Sequence, residues 1–145
     1  MKRLKGKIAL VTSSTRGIGL ACAKKLASEG AIVYMGVRRL ETTQEICDTC
    51  KKDGLIMKPV FFDAYNIDSY KSMVEEVISK ERKIDILVNN FGTGRPDKDL
   101  DLVKSDEETF FELLESNIGS VYRISKAVVP YMIENGGGSI INISS

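Results

Sequence analysis

The feature that most limits what this chain can become is its alternation of short apolar runs with longer amphipathic segments, repeated from one end to the other. A short run that is apolar on both faces reads as a strand of a parallel sheet, and the longer segment after it as the crossover helix. Residues 7–12 predict a first strand, and 17–29 a helix with Leu20, Ala23, Leu26 and Ala27 on one stripe and Gly30 as its stop. A second strand follows over 31–37, a polar helix over 41–54, and a third strand over 57–62. Asp68 or Ser69 is expected to cap a helix carrying Met73, Val74, Val77 and Ile78, before a fourth strand at 84–88. Residues 89–104 form the one long irregular stretch. Ser105-x-x-Glu108 then reads as a capping box opening a long helix through Phe111, Leu114, Val121 and Val128, which Pro130 should kink or shorten. Gly136-Gly137-Gly138 turns the chain into a fifth strand at 139–143. The expectation is an α/β fold of the Rossmann type: a doubly wound parallel sheet of five strands, one domain over residues 1–145. A sheet that stops on an uncovered apolar strand leaves a hydrophobic edge, so the natural polypeptide is expected to continue past Ser145.

Composition removes several function classes. The 21 basic and 20 acidic residues nearly cancel, which points to neither a nucleic-acid nor a membrane partner. No apolar run approaches the roughly 20 residues of a membrane span, and the basic start at Lys2, Arg3 and Lys5 is not followed by a secretion signal. A cytoplasmic location is the expectation. The chain has no histidine, which excludes any His-based triad within it, and with 3 cysteines it lacks the ligands for a zinc site, so no metal is expected. Cys47 and Cys50 form a Cys-x-x-Cys pair, but mid-segment rather than at a helix start, so they read as reduced thiols.

The chemistry begins at the joint of the first strand and first helix, Thr12-Ser13-Ser14-Thr15-Arg16-Gly17-Ile18-Gly19. A turn here sets backbone N–H groups and the positive end of a helix against a pyrophosphate, and glycines let the backbone come close. At the end of the second strand, where a carboxylate would take the ribose 2′-OH of NAD, this chain has Arg38-Arg39, and Arg16 stands inside the turn. Guanidinium groups clamp a 2′-phosphate by charge-assisted, bidentate hydrogen bonds, so the expected cofactor is NADP(H).

Taken in order, Thr12-x-x-x-x-Gly17-Ile18-Gly19, Asp63 at the end of the third strand, Asn89-Asn90-Phe91-Gly92, Asn117, and Asn142-Ile143-Ser144-Ser145 resemble the short-chain dehydrogenase/reductase family over the whole chain. Two positions depart from its pattern: Ser13 replaces a glycine and Phe91 an alanine. The resemblance implies that Ser13, Ser14, Thr15, Arg16, Gly17, Ile18 and Gly19 wrap the phosphates, with Arg16 and Arg38 on the 2′-phosphate. It implies further that Asp63 and Ala64 lie along the adenine ring, that Asn90 supports the strand ends beside the cofactor ribose, and that Gly92 is among the cofactor-binding residues. Ser145 and Asn117 would be catalytic, the serine binding the reacting oxygen and the asparagine helping to hold a proton-relay water.

In this family the acid/base is a tyrosine followed four residues later by a lysine, placed after the serine; none is present up to Ser145. One Tyr-x-x-x-Lys string does occur, Tyr122 to Lys126. On a regular helix it lies roughly 140° to 180° around from Asn117, so it is not expected to be the catalytic pair. The chain by itself is therefore expected to bind NADP(H) weakly and turn over little. At whole-chain level the sequence is similar to bacterial members that oxidise the 7-hydroxyl of bile acids with NADP, which implies a hydroxysteroid substrate. Another ketone or alcohol, such as a 3-oxoacyl thioester or a sugar, and a non-catalytic NADP-binding module remain the alternatives. The resemblance also implies a homo-oligomer, dimer or tetramer, when full length.

Overall fold

A computed structural model describes residues 2–98 and 100–145. Five parallel strands build a single sheet in the order β3-β2-β1-β4-β5. The elements are β1 (Ile8–Thr12), α1 (Gly17–Ser28), β2 (Ile32–Val37), α2 (Leu40–Lys52), β3 (Met57–Phe61), α3 (Asp68–Glu81) and β4 (Ile86–Asn89). After the long connection come α4 (Glu107–Leu114), a π-helical turn (Glu115–Gly119), α5 (Ser120–Glu134) and β5 (Ser139–Asn142). The strand order reverses direction between β1 and β4, which places a crevice outside the carboxyl ends of those two strands. Among the described residues no helix is long and apolar enough to cross a membrane.

Both faces of the sheet are covered over β1, β2 and β4, whereas every residue of the edge strand β5 is exposed. Leu10, Tyr34, Val60 and Leu87 pack under α3 and α5 through Met73, Val77, Ile124 and Val128, whereas Ala9, Val11, Val33 and Met35 pack under α1 and α2. Every residue of β1 is buried, as a central parallel strand requires. The apolar stripe of α1 is rotated from the expected one: Gly19, Ala23 and Ala27 are buried, while Leu20 and Leu26 are only partly so. Residues without long side chains at spacing four let this helix approach the sheet closely, and the leucines cover its flanks.

Three further expectations need correction. The start of α3 is bonded by Asn66, whose Oδ1 accepts from the Asp68 N–H, and neither Asp68 nor Ser69 caps it. Asp106 rather than Ser105 caps α4, accepting from the Thr109 N–H at 2.7 Å, so the Ser105/Glu108 box does not form. The long helix is interrupted by the π-helical turn, and it runs past Pro130 to Glu134 rather than stopping there. The extra residue in that turn changes which side faces inward. Ser120, Ile124, Val128 and Met132 become the buried row of α5, and Phe111 and Leu114 are left exposed.

The cysteines are free: Cys47 and Cys50 are buried and Cys22 is half-buried. Burial pushes the Cys47 thiol up to about 11, opposite to what a redox-active cysteine needs.

Candidate functional site

All five strands run in the same direction, so the residues just past each of them gather along one edge of the sheet. The β1–α1 turn sits at the middle of that edge. Thr12, the last residue of β1, accepts hydrogen bonds on Oγ1 from the Asn90 N–H (3.0 Å) and the Phe91 N–H (3.2 Å), which ties the end of β1 to the segment after β4. Asn90 returns the contact by donating from Nδ2 to the Ser13 carbonyl at 3.0 Å. Ser13 in turn donates its N–H to the Gly36 carbonyl of β2 at 2.8 Å. The turn is thus held from both neighbouring strands.

Within it, Ser14 is buried and its hydroxyl donates to the Val11 carbonyl, so this side chain supports the turn from inside. Thr15, Arg16, Gly17 and Ile18 are exposed. Gly17 takes φ +54° with open space where a Cβ would project. Gly19 is the tightest point: a Cβ there would stand 2.5 Å from both the Ser13 carbonyl oxygen and Asn90 Nδ2, so only glycine lets α1 start this close to the strand ends.

The start of α1 is open to a ligand. Arg16 occupies the capping position with no side-chain cap, and the first turn contains no acidic residue. The leading N–H groups of a helix have no intrahelical partner, and here neither a hydroxyl nor a carboxylate replaces one. Arg38 lies two residues beyond Gly36, exposed, and among the described residues neither Arg16 nor Arg38 makes an ion pair. Such an arrangement of unsatisfied donors and free guanidinium groups fits a phosphorylated dinucleotide.

The flanks of the edge are also ordered. After β3, Asp63 Oδ1 accepts from the Tyr65 N–H, and the Ser69 hydroxyl bridges the Asp63 and Asn66 carbonyls. Ala64 is buried, and its carbonyl accepts the Tyr70 hydroxyl at 2.5 Å. Phe91 packs edge-on against Phe62, ring centres 6.0 Å apart, which gives the unusual phenylalanine a place in the core. Asn117, in the π-helical turn, exchanges two hydrogen bonds with the backbone of Thr93: Oδ1 accepts from the N–H at 2.8 Å and Nδ2 donates to the carbonyl at 2.9 Å. Its remaining amide hydrogen goes to the Leu113 carbonyl. Both amide hydrogens are therefore spent, one on the loop just past Gly92 and one on the Leu113 carbonyl, and only an acceptor lone pair is left for water. A cavity of about 480 Å³ opens beside this pair, walled by Thr93, Leu100, Leu102, Leu113, Asn117 and Ile118. Ser145 lies three residues beyond β5, exposed at the same edge of the sheet.

Tyr122 and Lys126 do not join the site: they are exposed on α5, where the ammonium lies over the ring and 3.4 Å from the hydroxyl. Two supporting residues belong to the motifs but have no role assigned to them from the sequence. Thr12 ties strands through its hydroxyl, a role hinted at only by a polar residue closing an apolar strand. Asn89 is buried, donating to Ser125 on α5 and to Asn142 of β5, and its Oδ1 has no partner among the described residues.

Comparisons with known proteins agree with this geometry. The family model for short chain dehydrogenases matches residues 7–145. The chain is 72% identical over its whole length to a 7alpha-hydroxysteroid dehydrogenase of Paraclostridium sordellii, of which it covers 54%. It is 38% identical to a 3-oxoacyl-[acyl-carrier-protein] reductase of Thermotoga maritima, with 99% of this chain and 57% of that protein aligned. Among solved structures, a gluconate 5-dehydrogenase from Burkholderia cenocepacia in complex with NADP and tartrate superposes with a TM-score of 0.88 at 33% identity, over 99% of this chain and 55% of that one. The chain spans about half the length of the curated relatives it matches.

Proposed function

Because the chain belongs to the short chain dehydrogenase family, we propose that it forms the NADP(H)-binding part of an oxidoreductase that interconverts a secondary alcohol and a ketone. The observation that carries this reading is the uncapped start of α1 beside two unpaired arginines, with no carboxylate at the end of β2 to take an unphosphorylated ribose. Bound there, the cofactor supplies hydride exchange at its nicotinamide ring. Thr15 to Gly19 offer backbone N–H groups to the phosphates, and Arg16 and Arg38 hold the 2′-phosphate. Asp63 and Ala64 border the adenine, and Asn90 and Gly92 the ribose. Ser145 donates a hydrogen bond to the reacting oxygen, and Asn117 fixes the Thr93 loop beside it. A tyrosine and lysine beyond Ser145 would complete the proton transfer.

The substrate we favour is the 7α-hydroxyl of bile acids. The support is the 72% identity to a protein of that name, together with the cavity of about 480 Å³ next to Asn117, which mixes leucines with polar side chains such as Lys98 and Asp106. The 38% identity to an acyl-carrier reductase supports a second reading, reduction of a 3-oxoacyl thioester. We place the enzyme in the cytoplasm as a homo-oligomer; the exposed row Phe110, Leu114, Ile118 and Tyr122, four residues apart, supports the association of copies.

Titration of the chain with NADPH and NADH tests the cofactor assignment: tighter binding of NADPH is expected, and Arg38→Ala should erase the difference. Equal affinity of the unaltered chain for the two would sink it. For the substrate, a polypeptide extending this chain should oxidise a 7α-hydroxylated bile acid with NADP and leave 3-oxoacyl thioesters unreduced; the reverse result selects the second reading.

A further inference from the structure

Two described residues other than glycine have φ in the left-handed region. One, Arg82 at φ 66°, closes the C-terminus of α3, an ordinary place for that conformation. The other is Ser13 at φ 52°, in the middle of the proposed dinucleotide site. Glycine adopts such a backbone freely and serine does not, and the family pattern has glycine here. Nor can the backbone relax, because the Ser13 N–H is held by the Gly36 carbonyl at 2.8 Å and the Ser13 carbonyl by Asn90 Nδ2 at 3.0 Å.

The side chain responsible for this cost contributes nothing visible to the fold. Ser14, its neighbour, spends its hydroxyl on the Val11 carbonyl, but the Ser13 hydroxyl has no hydrogen-bond partner among the described residues. Its position is informative. The bond to Gly36 seats Ser13 against the end of β2, where Gly36 lies two residues before Arg38, and Ser13 itself stands three residues before Arg16. That is the adenosine side of the turn, where a phosphorylated ribose would be held.

Resting on the reading of this turn as a dinucleotide site, we propose that Ser13 is a specificity-determining residue: its hydroxyl donates to the 2′-phosphate, alongside Arg16 and Arg38. The strained backbone is then retained for a ligand contact that glycine cannot make. The hydroxyl is neutral and adds a directed donor to two charged groups that are long and exposed.

The test compares Ser13→Gly, which removes both strain and hydroxyl, with Ser13→Ala, which keeps the strain and removes the hydroxyl alone. NADPH and NADH affinities are read by titration, and thermal melting is read without ligand. Both variants should bind NADPH about tenfold more weakly, the usual scale for a hydrogen bond to a charged group, with NADH affinity changed less than about twofold. Ser13→Gly should melt no lower than the unaltered chain, because relief of strain offsets the added freedom of the unfolded chain. Unchanged NADPH preference in both variants, with Arg38→Ala still abolishing it, overturns the role of Ser13 and leaves the site intact. Equal weakening of both dinucleotides also overturns it, since the hydroxyl would then serve the shared pyrophosphate. A drop of several degrees in Ser13→Gly overturns it by assigning the hydroxyl to the fold. Absence of any preference in the unaltered chain removes the site reading and this proposal together.

Discussion

The two ends of the same parallel sheet are built on opposite principles. At the end where the strands begin, charge is closed on itself. Asp85 is buried; its Oδ2 accepts from the Ile8 N–H at 2.8 Å, and Lys83 and Lys7 stand 3.0 and 3.5 Å from its carboxylate oxygens. Burial pushes its pKa up, but the Ile8 N–H and the two ammonium groups more than offset that and hold it below its ordinary value. On the α3 side, Glu81 accepts from Tyr34 at 2.7 Å and from Lys58 at 2.8 Å, and Lys58 first and Tyr34 second hold it low. At the end where the strands finish, neutral side chains do the tying: Thr12, Asn90, Asn117 and Asn89. There, among the described residues, the start of α1 lacks a side-chain cap. The first end neutralises its carboxylates within the fold, while the second leaves the leading N–H groups of α1 without a side-chain acceptor. The free N–H groups at the start of α1 therefore point to an anion at the second end.

That contrast can be broken most forcefully at Gly19. Gly19→Ala puts a methyl group 2.5 Å from the Ser13 carbonyl, which is backbone and cannot move aside. A loss of about 3 kcal/mol in urea unfolding is expected, with dinucleotide binding lost as well. A stable variant that still binds would show that the turn is less tightly held than its hydrogen bonds imply.

Asp85→Ala addresses the opposite end. It strands the Ile8 N–H and should cost about 2 kcal/mol, yet the ratio of NADPH to NADH affinity should stay unchanged in the folded fraction. A change in that ratio would mean the two ends are coupled rather than independent. Thr12→Val should cost less, about 1 to 2 kcal/mol, because it leaves the half-buried Asn90 and Phe91 N–H groups without an acceptor. Unlike Asp85→Ala, it should weaken both dinucleotides by loosening the turn, and calorimetric titration separates the two cases.

The smallest effect is on pH dependence. Asp85 and Glu81 have folded pKa values below their unfolded ones, so their contribution is fully present above the unfolded values and is lost as pH falls through the folded values. The urea midpoint should hold from pH 7 to about 5 and decline below about 4. Asp85→Asn and Glu81→Gln should each flatten that decline. If neither does, the carboxylates at the closed end contribute no titratable stability.

The ordering of strands and helices was readable because burial on both faces of a parallel sheet forces apolar runs, and turn residues punctuate them. Residues 7–12, 31–37 and 57–62 each contain the strand found there. The boundaries that failed did so where another polar side chain nearby bonds the helix start: Asn66 accepts from the Asp68 N–H, and Asp106 from the Thr109 N–H, one residue beyond the one a Ser105 cap would take. The candidate site was marked in the sequence by Gly17, Gly19 and Arg38, whose residue types have few reasons to stand after a strand. It was not legible at Thr12 or Asn89, whose partners lie 36 to 79 residues away in the chain.

By itself the sequence determined the alternation of elements, the parallel sheet and the family, because periodicity and local turn chemistry act over a few residues at a time. Only the tertiary structure decided which way the long helix faces. The π-helical turn at 115–119 rotates α5 relative to α4, turns Ser120, Ile124, Val128 and Met132 inward and spends Asn117 on Thr93. Likewise only the packed strands reveal that Ser13 is held in a glycine's conformation, since the groups that hold it come from β2 and from the segment after β4. Contacts of that kind are fixed by which strands become neighbours, and no local stretch of residues encodes them.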